Sequence, residues 1–475
     1  MLEEKGVNIL MVSLAYQGHL NPMLKFAKCL ISKGINVTIA TTENGGPLLL
    51  KHATTTTSDA SNNSKIKLEF FSDGLTIGFD RMATTEKMIK TIQEEGAKNL
   101  STLITNLTKV QNQNFSCVII SPFVPWAVDV ISEHGIPCAM LWIQASTLYS
   151  IYCRYFNNTD SFPCLDDPNE KVKLPGLPEF EVKYLPSFLL PSSSPYYRQV
   201  FVDIYQALGK VKWVLGTSFY EIEEEIVKSM DSLTPIYPIG PLVSPFILGE
   251  REISDVSVDM WNAEDSCMDW LNKKSPKTVI YISFGSLIVL SQKQMDNIAK
   301  ALKNYNKDFL WVVKPPDGEA RKKGGAGELS AEFLKETEGK GLAVKWCNQE
   351  KVLMHPAVGC FVSHCGWNSI LETLVAGVPV VACPYWTDQP TNAMLVTNVF
   401  KNGVNVNYGK DGVASTEEIE KCIWDVMEGP SSGEIKKRVV EIKESARKTL
   451  QEGGSSNENI NRFLNELIVG NQARV

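Results

Sequence analysis

Short apolar runs recur along both halves of the chain, and stretches with helical periodicity separate them. In the first half the runs lie at residues 8–15, 35–40, 66–71, 115–120 and 137–142. In the second half they lie at residues 278–284, 309–313, 342–344, 359–362 and 378–382. Strands that are buried on both faces of a parallel sheet have this character, and helices connect them. The alternation therefore predicts an α/β protein with two Rossmann-like parallel-sheet domains in sequence.

A proline-rich segment separates the two predicted domains. A chain of 475 residues is too long for one ordinary hydrophobic core and favours two domains. Four prolines interrupt any regular element in this segment: Pro235, Pro238, Pro241 and Pro245. We predict an N-terminal domain over residues 1–240, a linker over 241–258 and a C-terminal domain over 259–453. Residues 454–475 are predicted to form an amphipathic helix, with apolar side chains at Ile460, Phe463, Leu464, Leu467 and Ile468.

Charge and cysteine usage limit the partners and the compartment. The formal net charge is −7 and the sequence has no long basic run, which disfavours nucleic acid and anionic membranes. The N-terminus lacks the apolar core of a signal peptide, and no apolar run approaches the roughly 20 residues of a membrane helix. The 11 cysteines have no paired spacing and indicate reduced thiols. We expect a soluble, cytoplasmic protein, and we expect it to be a monomer.

A helix is predicted directly after the first strand. Asn21 fits the N-cap position and Pro22 the first helical position, while Leu24, Ala27 and Leu30 give the helical period. Three polar segments are predicted to be exposed loops, at residues 41–65, 186–195 and 315–327.

A turn with small polar groups follows the strand at residues 359–362. Residues 364–367 form this turn, and Asn368 and Ser369 open the next helix. A helix N-terminus preceded by glycine leaves backbone N–H groups free for an anion such as a diphosphate. The same residues are also compatible with a simple capping box between Ser369 and Glu372, or with a metal site. The candidate metal ligands, whose spacing matches no common motif, are His355, Cys360, His364 and Cys365.

Further candidate ligand-binding residues follow neighbouring strands, and the carboxyl ends of parallel strands are where ligands bind. Trp346 could stack on a base, although a tryptophan at such a position is more often part of a core. Ser286 offers a hydroxyl to a phosphate. Asp388 and Gln389 could bind sugar hydroxyls, or they could belong to an ordinary exposed loop. The order of these groups along the chain indicates a nucleotide-sugar site.

Residues 346–389 resemble, almost position for position, the signature box of plant secondary-product UDP-glycosyltransferases. Residues 18–22, 122–126 and 284–286 are also similar to that family, so the resemblance covers the whole chain. It implies the glycosyltransferase-B fold, in which two Rossmann-like domains face each other across a cleft, with the C-terminal helix packed on the first domain. It further implies metal-independent, cofactor-independent and inverting transfer of glucose from UDP-glucose to a small aromatic acceptor.

The resemblance also implies roles for individual residues. Trp346 would stack on uracil, the Cys347 backbone would meet the edge of the base, and Gln349 and Glu372 would bind the ribose. Four side chains are expected around the diphosphate, Ser286, His364, Asn368 and Ser369, with Trp367 in the same turn. Three residues would face the sugar, Thr387, Asp388 and Gln389, and a glutamine at the last position is associated with glucose.

His19 lies between the first predicted strand and the first predicted helix. A histidine in a turn is more often structural, but beside a donor site we predict that His19 is the general base for an acceptor hydroxyl. Its unperturbed pKa of about 6.5 suits proton removal near neutral pH. Members of the family often orient this histidine with an aspartate, and Ser121 occupies that position here. A serine can hydrogen-bond the other ring nitrogen, but it cannot stabilise an imidazolium as a carboxylate does.

This substitution bears on the acceptor. A phenol, with a pKa of about 10, needs a base at neutral pH, whereas a carboxylic acid near pKa ~4 is already ionised. We therefore predict that carboxylates or acidic phenols are preferred, as in the members of the family that make glucose esters and phenolic glucosides. Tyr16 and Phe123 are predicted to line an apolar acceptor site, and further candidate walls, which could equally be core, are Trp142, Phe188 and Leu189.

Two other functions fit parts of the sequence. A dinucleotide-dependent oxidoreductase needs a Gly-x-Gly-x-x-Gly turn followed by an acidic residue about 20 positions later, and neither half has one. A non-catalytic protein that binds a small molecule or a UDP-sugar would explain Ser121, but His19 and the intact box argue against it. Asn348 stands where relatives usually carry proline or a small residue, and we expect an effect on the local loop alone.

Overall fold

The computed structural model describes residues 7–46, 66–76, 86–249, 266–286, 288–313 and 328–472. Three predicted features fall wholly or partly outside these residues: the loop at 315–327, most of the loop at 41–65, and residues 250–258 of the linker.

The first sheet occupies the N-terminal half of the chain. Its strands are β1 (Asn8–Ser13), β2 (Asn36–Thr42), β3 (Lys67–Phe71), β4 (Cys117–Ile120), β5 (Cys138–Trp142), β8 (Trp213–Gly216) and β9 (Tyr237–Pro238). They lie in the order β3-β2-β1-β4-β5-β8-β9, and each neighbouring pair is parallel. A short antiparallel ribbon of β6 (Lys171–Val172) and β7 (Phe180–Glu181) stands apart from this sheet.

The second sheet occupies the C-terminal half. Its strands are β10 (Val279–Ser283), β11 (Phe309–Val312), β12 (Gly341–Val344), β13 (Val358–Ser363), β14 (Val380–Ala382) and β15 (Gly403–Asn405). They lie in the order β12-β11-β10-β13-β14-β15, again with parallel neighbours. Every residue of β10 and β13 is buried, which explains their continuous apolar sequences. The predicted fold of two Rossmann-like parallel-sheet domains is confirmed.

Helices connect the strands of both sheets. In chain order they are α1 (Gln17–Ser32), α2 (Glu86–Thr105), α3 (Ala127–Glu133), α4 (Ser146–Phe156), α5 (Pro195–Leu208), α6 (Glu224–Met230), α7 (Ser266–Leu271), α8 (Gln292–Tyr305), α9 (Ala331–Glu336), α10 (Gln349–Met354), α11 (Trp367–Ala376), α12 (Gln389–Met394), α13 (Thr416–Met427), α14 (Ser432–Leu450) and α15 (Ser455–Gln472). Of the helices in the described part of the chain, none is both long and apolar enough to cross a membrane.

Helix α1 begins earlier than the sequence predicts. Tyr16 is the N-cap residue, and Pro22 lies inside the helix rather than at its first position. Proline has no N–H to donate to the carbonyl four residues before it, which here is Gly18. The Gly18 carbonyl instead accepts a hydrogen bond from Asn368 Nδ2 at 3.3 Å. The prediction of Asn21 as N-cap is therefore wrong, and the carbonyl that Pro22 leaves free is bound by the other half of the chain.

Only part of the predicted loop at residues 186–195 is exposed. Phe188 and Leu189 form a short 3₁₀ turn and are buried, with 7% and 0% of their surface exposed. Two backbone-centred bonds join this turn to the C-terminal half, from Ser187 N to Thr387 O at 2.9 Å and from Thr387 N to Ser187 Oγ at 2.7 Å. The segment is thus a contact between the two halves.

Helix α15 packs on the first sheet. Ile460, Phe463, Leu464 and Leu467 are buried in one apolar cluster with residues of β1, β2 and α1. The Trp213 Nε1 of β8 donates a hydrogen bond to Glu466 at 2.6 Å. The predicted amphipathic helix is present, and it lies against the N-terminal half of the chain.

Candidate active site

A cleft of about 720 Å³ separates the carboxyl ends of the two sheets. Its lining includes residues that follow β1, β4 and β5 on one side and β10, β12, β13 and β14 on the other. Every residue predicted for the donor site lines it: Ser286, Trp346, Cys347, Gln349, His364, Trp367, Asn368, Ser369, Glu372, Thr387, Asp388 and Gln389. Several of these residues were assigned through the family resemblance alone, and all of them lie in the cleft at the carboxyl ends of the strands, where parallel sheets bind ligands.

The turn between β13 and α11 presents a helix N-terminus to the cleft. Gly366 is the N-cap residue of α11 and has no side chain that could cap it. The backbone of Trp367, the first residue of the helix, donates a hydrogen bond to the buried carboxylate of Asp388, and the next N–H groups of the first turn can bind an anion. Cys365 adopts a left-handed backbone conformation, with φ at 65°. Hydrogen bonds from Asn392 Nδ2 to Cys365 O, at 2.9 Å, and from Cys365 N to Ser363 Oγ, at 3.1 Å, hold it there.

His364 fits between two glycine turns. A Cβ atom at Gly285 would lie 2.7 Å from His364 Nε2, and one at Gly366 would lie 2.6 Å from the same nitrogen. Any larger residue at either position would collide with the imidazole. Burial lowers the pKa of His364 to about 4, so the ring is neutral at physiological pH. A neutral imidazole can still donate one N–H to a phosphate oxygen.

Three predicted donor-site side chains form one hydrogen-bonded group. Gln349 Nε2 donates to Ser369 Oγ at 2.8 Å and to Glu372 Oε2 at 2.7 Å. Tyr281 places its hydroxyl 3.4 Å from Gln349 Oε1. Trp346, at the end of the segment after β12, lines the same part of the cleft. The ring expected to stack on a base thus lies on the same side as the group expected to bind a ribose.

Asn348 has a definite structural role. Its Oδ1 accepts a hydrogen bond from Lys351 N at 2.9 Å, which makes it the N-cap residue of α10. Gln349 is the first residue of that helix. The asparagine therefore helps to fix the direction of Gln349, so the local effect that the sequence suggests is a helix cap.

The sugar end of the predicted site is held rigidly. Thr387 has a left-handed φ of 63°, which is rare for a β-branched residue and is supported by the two bonds to Ser187. Asp388 accepts hydrogen bonds from Thr387 Oγ1 at 2.7 Å and Asn392 Nδ2 at 2.8 Å. Burial nevertheless raises the pKa of Asp388. Gln389 Oε1 accepts from the backbone N–H groups of Tyr385 and Trp386, which leaves its amide nitrogen for a ligand.

His19 lies on the opposite side of the cleft, in an aromatic environment. Its ring stacks on Phe123, with 4.4 Å between centroids, and meets the edge of Tyr16 at 5.4 Å. Burial lowers the pKa of His19 to about 4, well below the ordinary value that the sequence argument assumed. Its Nδ1 is enclosed and has no hydrogen-bond partner in the described structure, so Nε2 is the ring nitrogen that faces the cleft.

The predicted hydrogen bond between Ser121 and His19 is not formed. Ser121 is fully buried, and within the described residues its Oγ has no hydrogen-bond partner. The buried hydroxyl and the enclosed Nδ1 of His19 are therefore both unsatisfied. Here the sequence interpretation requires correction, because Ser121 does not orient the imidazole in this structure.

The acceptor side of the cleft is mainly apolar. Tyr16, Phe123 and Phe188 line it as predicted, whereas Trp142 and Leu189 are buried core residues. Other apolar walls, which the sequence pattern did not identify, are Met88, Ile92, Trp126, Phe201 and Trp386.

Comparison with known proteins decides the family. Residues 245–444 match the family described as UDP-glucoronosyl and UDP-glucosyl transferase. The chain is 45% identical to UDP-glycosyltransferase 84B2 of Arabidopsis thaliana over 460 residues, which cover 97% of this chain and 100% of the relative. The chain belongs to the UDP-glycosyltransferase family.

Other relatives agree with this assignment. The gallate 1-beta-glucosyltransferase of Quercus robur is 36% identical and is matched over 98% of this chain and 91% of its own length. The crystal structure of Os79 from O. sativa in complex with UDP superposes with a TM-score of 0.84, at 29% identity, over 97% of this chain and 100% of that one. The protein is a glycosyltransferase enzyme, and the alternative of a non-catalytic binding protein is not favoured.

Two polar residues of this UDP-glycosyltransferase were not predicted from the sequence. Lys25 Nζ lies 2.8 Å from Glu350 Oε1 and 3.2 Å from Glu372 Oε1, so it joins α1 to the donor side. Gln144 is the second residue after β5, lines the cleft and is 7% exposed. The rule about strand ends could have identified Gln144. Nothing in the sequence distinguishes Lys25 from an ordinary surface lysine.

Proposed function

We propose that this enzyme transfers glucose from UDP-glucose to an oxygen atom of a small aromatic acceptor, with inversion at the anomeric carbon and without a metal ion. The N-terminal domain would bind the acceptor and the C-terminal domain the donor. Carboxylates and acidic phenols are the preferred acceptors. The observation that carries the proposal is the single cleft in which His19 and an aromatic wall face the donor-site residues.

The donor side supports a nucleoside diphosphate sugar. Trp346 offers a ring to the base, and the linked group of Gln349, Ser369 and Glu372 offers oxygen and nitrogen atoms to the ribose. The N–H groups in the first turn of α11 suit the diphosphate because they donate hydrogen bonds and because the positive end of the helix dipole favours an anion. The amide nitrogen of Gln389 supports glucose as the sugar, in agreement with the residue that the family resemblance associates with it.

The reaction requires one bond to form and one to break at the anomeric carbon. An acceptor oxygen attacks with its lone pair, the bond between this carbon and the diphosphate oxygen breaks, and UDP leaves with the electron pair. With a phenol, His19 Nε2 takes the hydroxyl proton during the attack. With a carboxylate the acceptor arrives ionised, and no proton is transferred to the enzyme.

The environment of His19 favours acceptors that are already ionised. Its pKa of about 4 makes it a weak base towards a phenol whose own pKa is near ~10. Neither Ser121 nor any other described residue hydrogen-bonds Nδ1, so a positively charged ring would receive no direct stabilisation. A carboxylate avoids both costs. The name of the oak relative, a gallate 1-beta-glucosyltransferase, is consistent with an aromatic carboxylic acid as acceptor.

The proposal can be tested by mass spectrometry of products from UDP-glucose and a panel of matched phenols, benzoates and aliphatic alcohols. Wild type and His19→Ala are compared, each with and without EDTA. We expect glucosylated products with EDTA present, benzoates turned over faster than alcohols, and a much larger loss for phenols than for benzoates in the variant. Equal or faster turnover of the aliphatic alcohols would contradict the acceptor preference. Equal losses would contradict the role of His19.

A further inference from the structure

A lysine from the acceptor side forms ion pairs with two carboxylates of the donor side. Lys25 belongs to α1, the helix that also carries His19. Its Nζ lies 2.8 Å from Glu350 Oε1 and 3.2 Å from Glu372 Oε1, and all three side chains are at most 15% exposed. Because each pair is largely shielded from water, the Coulombic attraction between its two charges is stronger than in an exposed surface pair, and loss of one partner leaves a buried charge unpaired.

The two carboxylates depend on Lys25 to different extents. Glu350 also accepts hydrogen bonds from the backbone N–H and the hydroxyl of Ser244. Burial acts to raise the pKa of Glu350, but Lys25 and Ser244 outweigh burial and lower it. Within the described residues Glu372 has one other donor, Gln349 Nε2 at 2.7 Å. Burial and the neighbouring negative charge of Glu350 raise the pKa of Glu372 despite Lys25 and Gln349. Of the two, Glu372 is the carboxylate whose ionisation relies more on the lysine.

We propose that Lys25 is a positioning residue for the donor, which keeps Glu372 ionised and directed so that it can accept hydrogen bonds from the ribose hydroxyls. This inference rests on the proposed role of Glu372 at the ribose. A carboxylate has about four lone-pair positions, of which Lys25 and Gln349 occupy one each. The remaining positions are sufficient for a pair of ribose hydroxyls. The lysine therefore supports the donor site without having to contact the nucleotide.

The position of Lys25 also links the two halves of the site. Helix α1 is bound to the donor side at Gly18, through Asn368 Nδ2, and again at Lys25, through Glu350 and Glu372. His19 lies between these two attachments along the same helix. A donor that is bound through Glu372 and Asn368 is consequently held at a fixed place relative to His19.

The test compares UDP and 2′-deoxy-UDP as competitive inhibitors against UDP-glucose. For wild type we expect 2′-deoxy-UDP to bind roughly tenfold more weakly, as the loss of a hydrogen bond to a charged group predicts. In Lys25→Met this discrimination should fall towards unity, the KM for UDP-glucose should rise, and kcat should change less. Lys25→Arg should restore the discrimination, because it keeps the charge.

Controls separate this role from a general structural one. Lys28→Met removes a lysine from the next turn of α1 that does not line the cleft, and it should leave the discrimination unchanged. If Lys25→Met does not fold, Lys25→Met combined with Glu350→Gln removes one positive and one negative charge together. It is compared with Glu350→Gln alone, because Glu350 also acts on the charge of Glu372.

Three results would overturn the inference. Equal weakening of both inhibitors would make Lys25 merely structural, and increased discrimination would mean that Lys25 competes with the ribose for Glu372. If the wild-type enzyme bound UDP and 2′-deoxy-UDP equally well, Glu372 would not be a partner of the ribose 2′-hydroxyl, and the inference would fail. Glucosyl transfer from UDP-glucose to an acceptor is measured separately. If transfer occurs, the proposed function stands and the role of Lys25 alone is contradicted.

Discussion

The imidazole of His19 lies parallel to the ring of Phe123, with 4.4 Å between centroids and 8° between the ring planes. Stacking on an apolar ring removes water from one face of the imidazole and disfavours its protonated form. Phe123 is therefore part of the reason why burial lowers the pKa of His19. A family position that often carries aspartate holds Ser121 here, so this effect is not opposed by a negative charge at that position.

The first prediction concerns pH. Because the pKa of His19 is lowered to about 4, the ring is already neutral at pH 5 and stays neutral as the pH rises. A benzoate carboxyl is also ionised above about pH 5. For a benzoate acceptor, kcat/KM should thus be nearly flat between about pH 5.5 and 8, because neither His19 nor the benzoate changes its charge in that range. For a matched phenol it should rise with pH as the phenolate fraction grows. A limb near pH ~6.5 followed by a plateau with the phenol, which needs His19 as base, would show instead that His19 titrates normally.

A second prediction concerns Ser121→Asp. A carboxylate near His19 would raise the pKa of the ring and stabilise the imidazolium that forms when a phenol is deprotonated. We expect the ratio of kcat/KM for a phenol to that for a matched benzoate to increase roughly tenfold. Ser121→Asn is the matched control, since it adds similar volume without charge. A folded aspartate variant with an unchanged ratio would contradict the argument.

The third prediction concerns Gln144. Its Oε1 is enclosed without a hydrogen-bond partner in the described structure, so its amide nitrogen is the polar atom that faces the cleft. That nitrogen can donate to an acceptor carboxylate. Gln144→Leu should raise the KM for benzoates by roughly tenfold, the cost of one hydrogen bond to a charged group. The KM for UDP-glucose should stay constant, and a parallel rise in both constants would contradict acceptor binding by Gln144.

The strands and the donor residues were predictable for one physical reason. Buried parallel strands such as β13 have continuous apolar sequences, and ligand-binding groups follow their carboxyl ends. This rule places Trp346, His364 and Gln389 at one edge of the second sheet, whereas the cleft and the remaining donor residues were implied by the family resemblance. Asn348 is recognisable as unusual, but its role as an N-cap depends on a helix whose start the pattern does not reveal.

The features that were not predicted depend on contacts between distant segments. Lys25 and Glu372 are 347 positions apart, and a lysine on the polar side of an amphipathic helix ordinarily faces solvent. The start of α1 was misplaced because Pro22 usually occupies the first helical position. Its tolerance inside the helix is explained by Asn368, which binds the carbonyl left without a donor. Phe188, a candidate acceptor wall, lies in a segment that was predicted to be an exposed loop, and its burial depends on rings outside that segment. Its ring packs on Tyr197, Phe201 and Trp386.

The fourth prediction concerns Glu223, which supports the helix after Gln144. This carboxylate is 3% exposed and accepts hydrogen bonds from Ser146 N at 2.9 Å, Thr147 N at 2.8 Å and Thr147 Oγ1 at 2.7 Å. It thus neutralises the N-terminus of α4. Glu223→Ala should lower the free energy of unfolding by about 2 kcal/mol or more. The control is Glu224→Ala, because the side chain of Glu224 is exposed. If the two substitutions lowered the free energy of unfolding equally in thermal unfolding, the role of Glu223 would be contradicted.

The last prediction concerns the C-terminal helix. Phe463 is 2% exposed, and its ring meets that of Trp213 edge-on at 5.3 Å between centroids. Phe463→Ala leaves a cavity between α15 and the first sheet, and such substitutions cost about 3–5 kcal/mol. Ile468, on the same helix, is 40% exposed, so Ile468→Ala should cost far less. The loss of stability in each variant is measured from the denaturant midpoint of the first unfolding transition. Similar midpoints for the two variants would show that α15 contributes little to the stability of the N-terminal half.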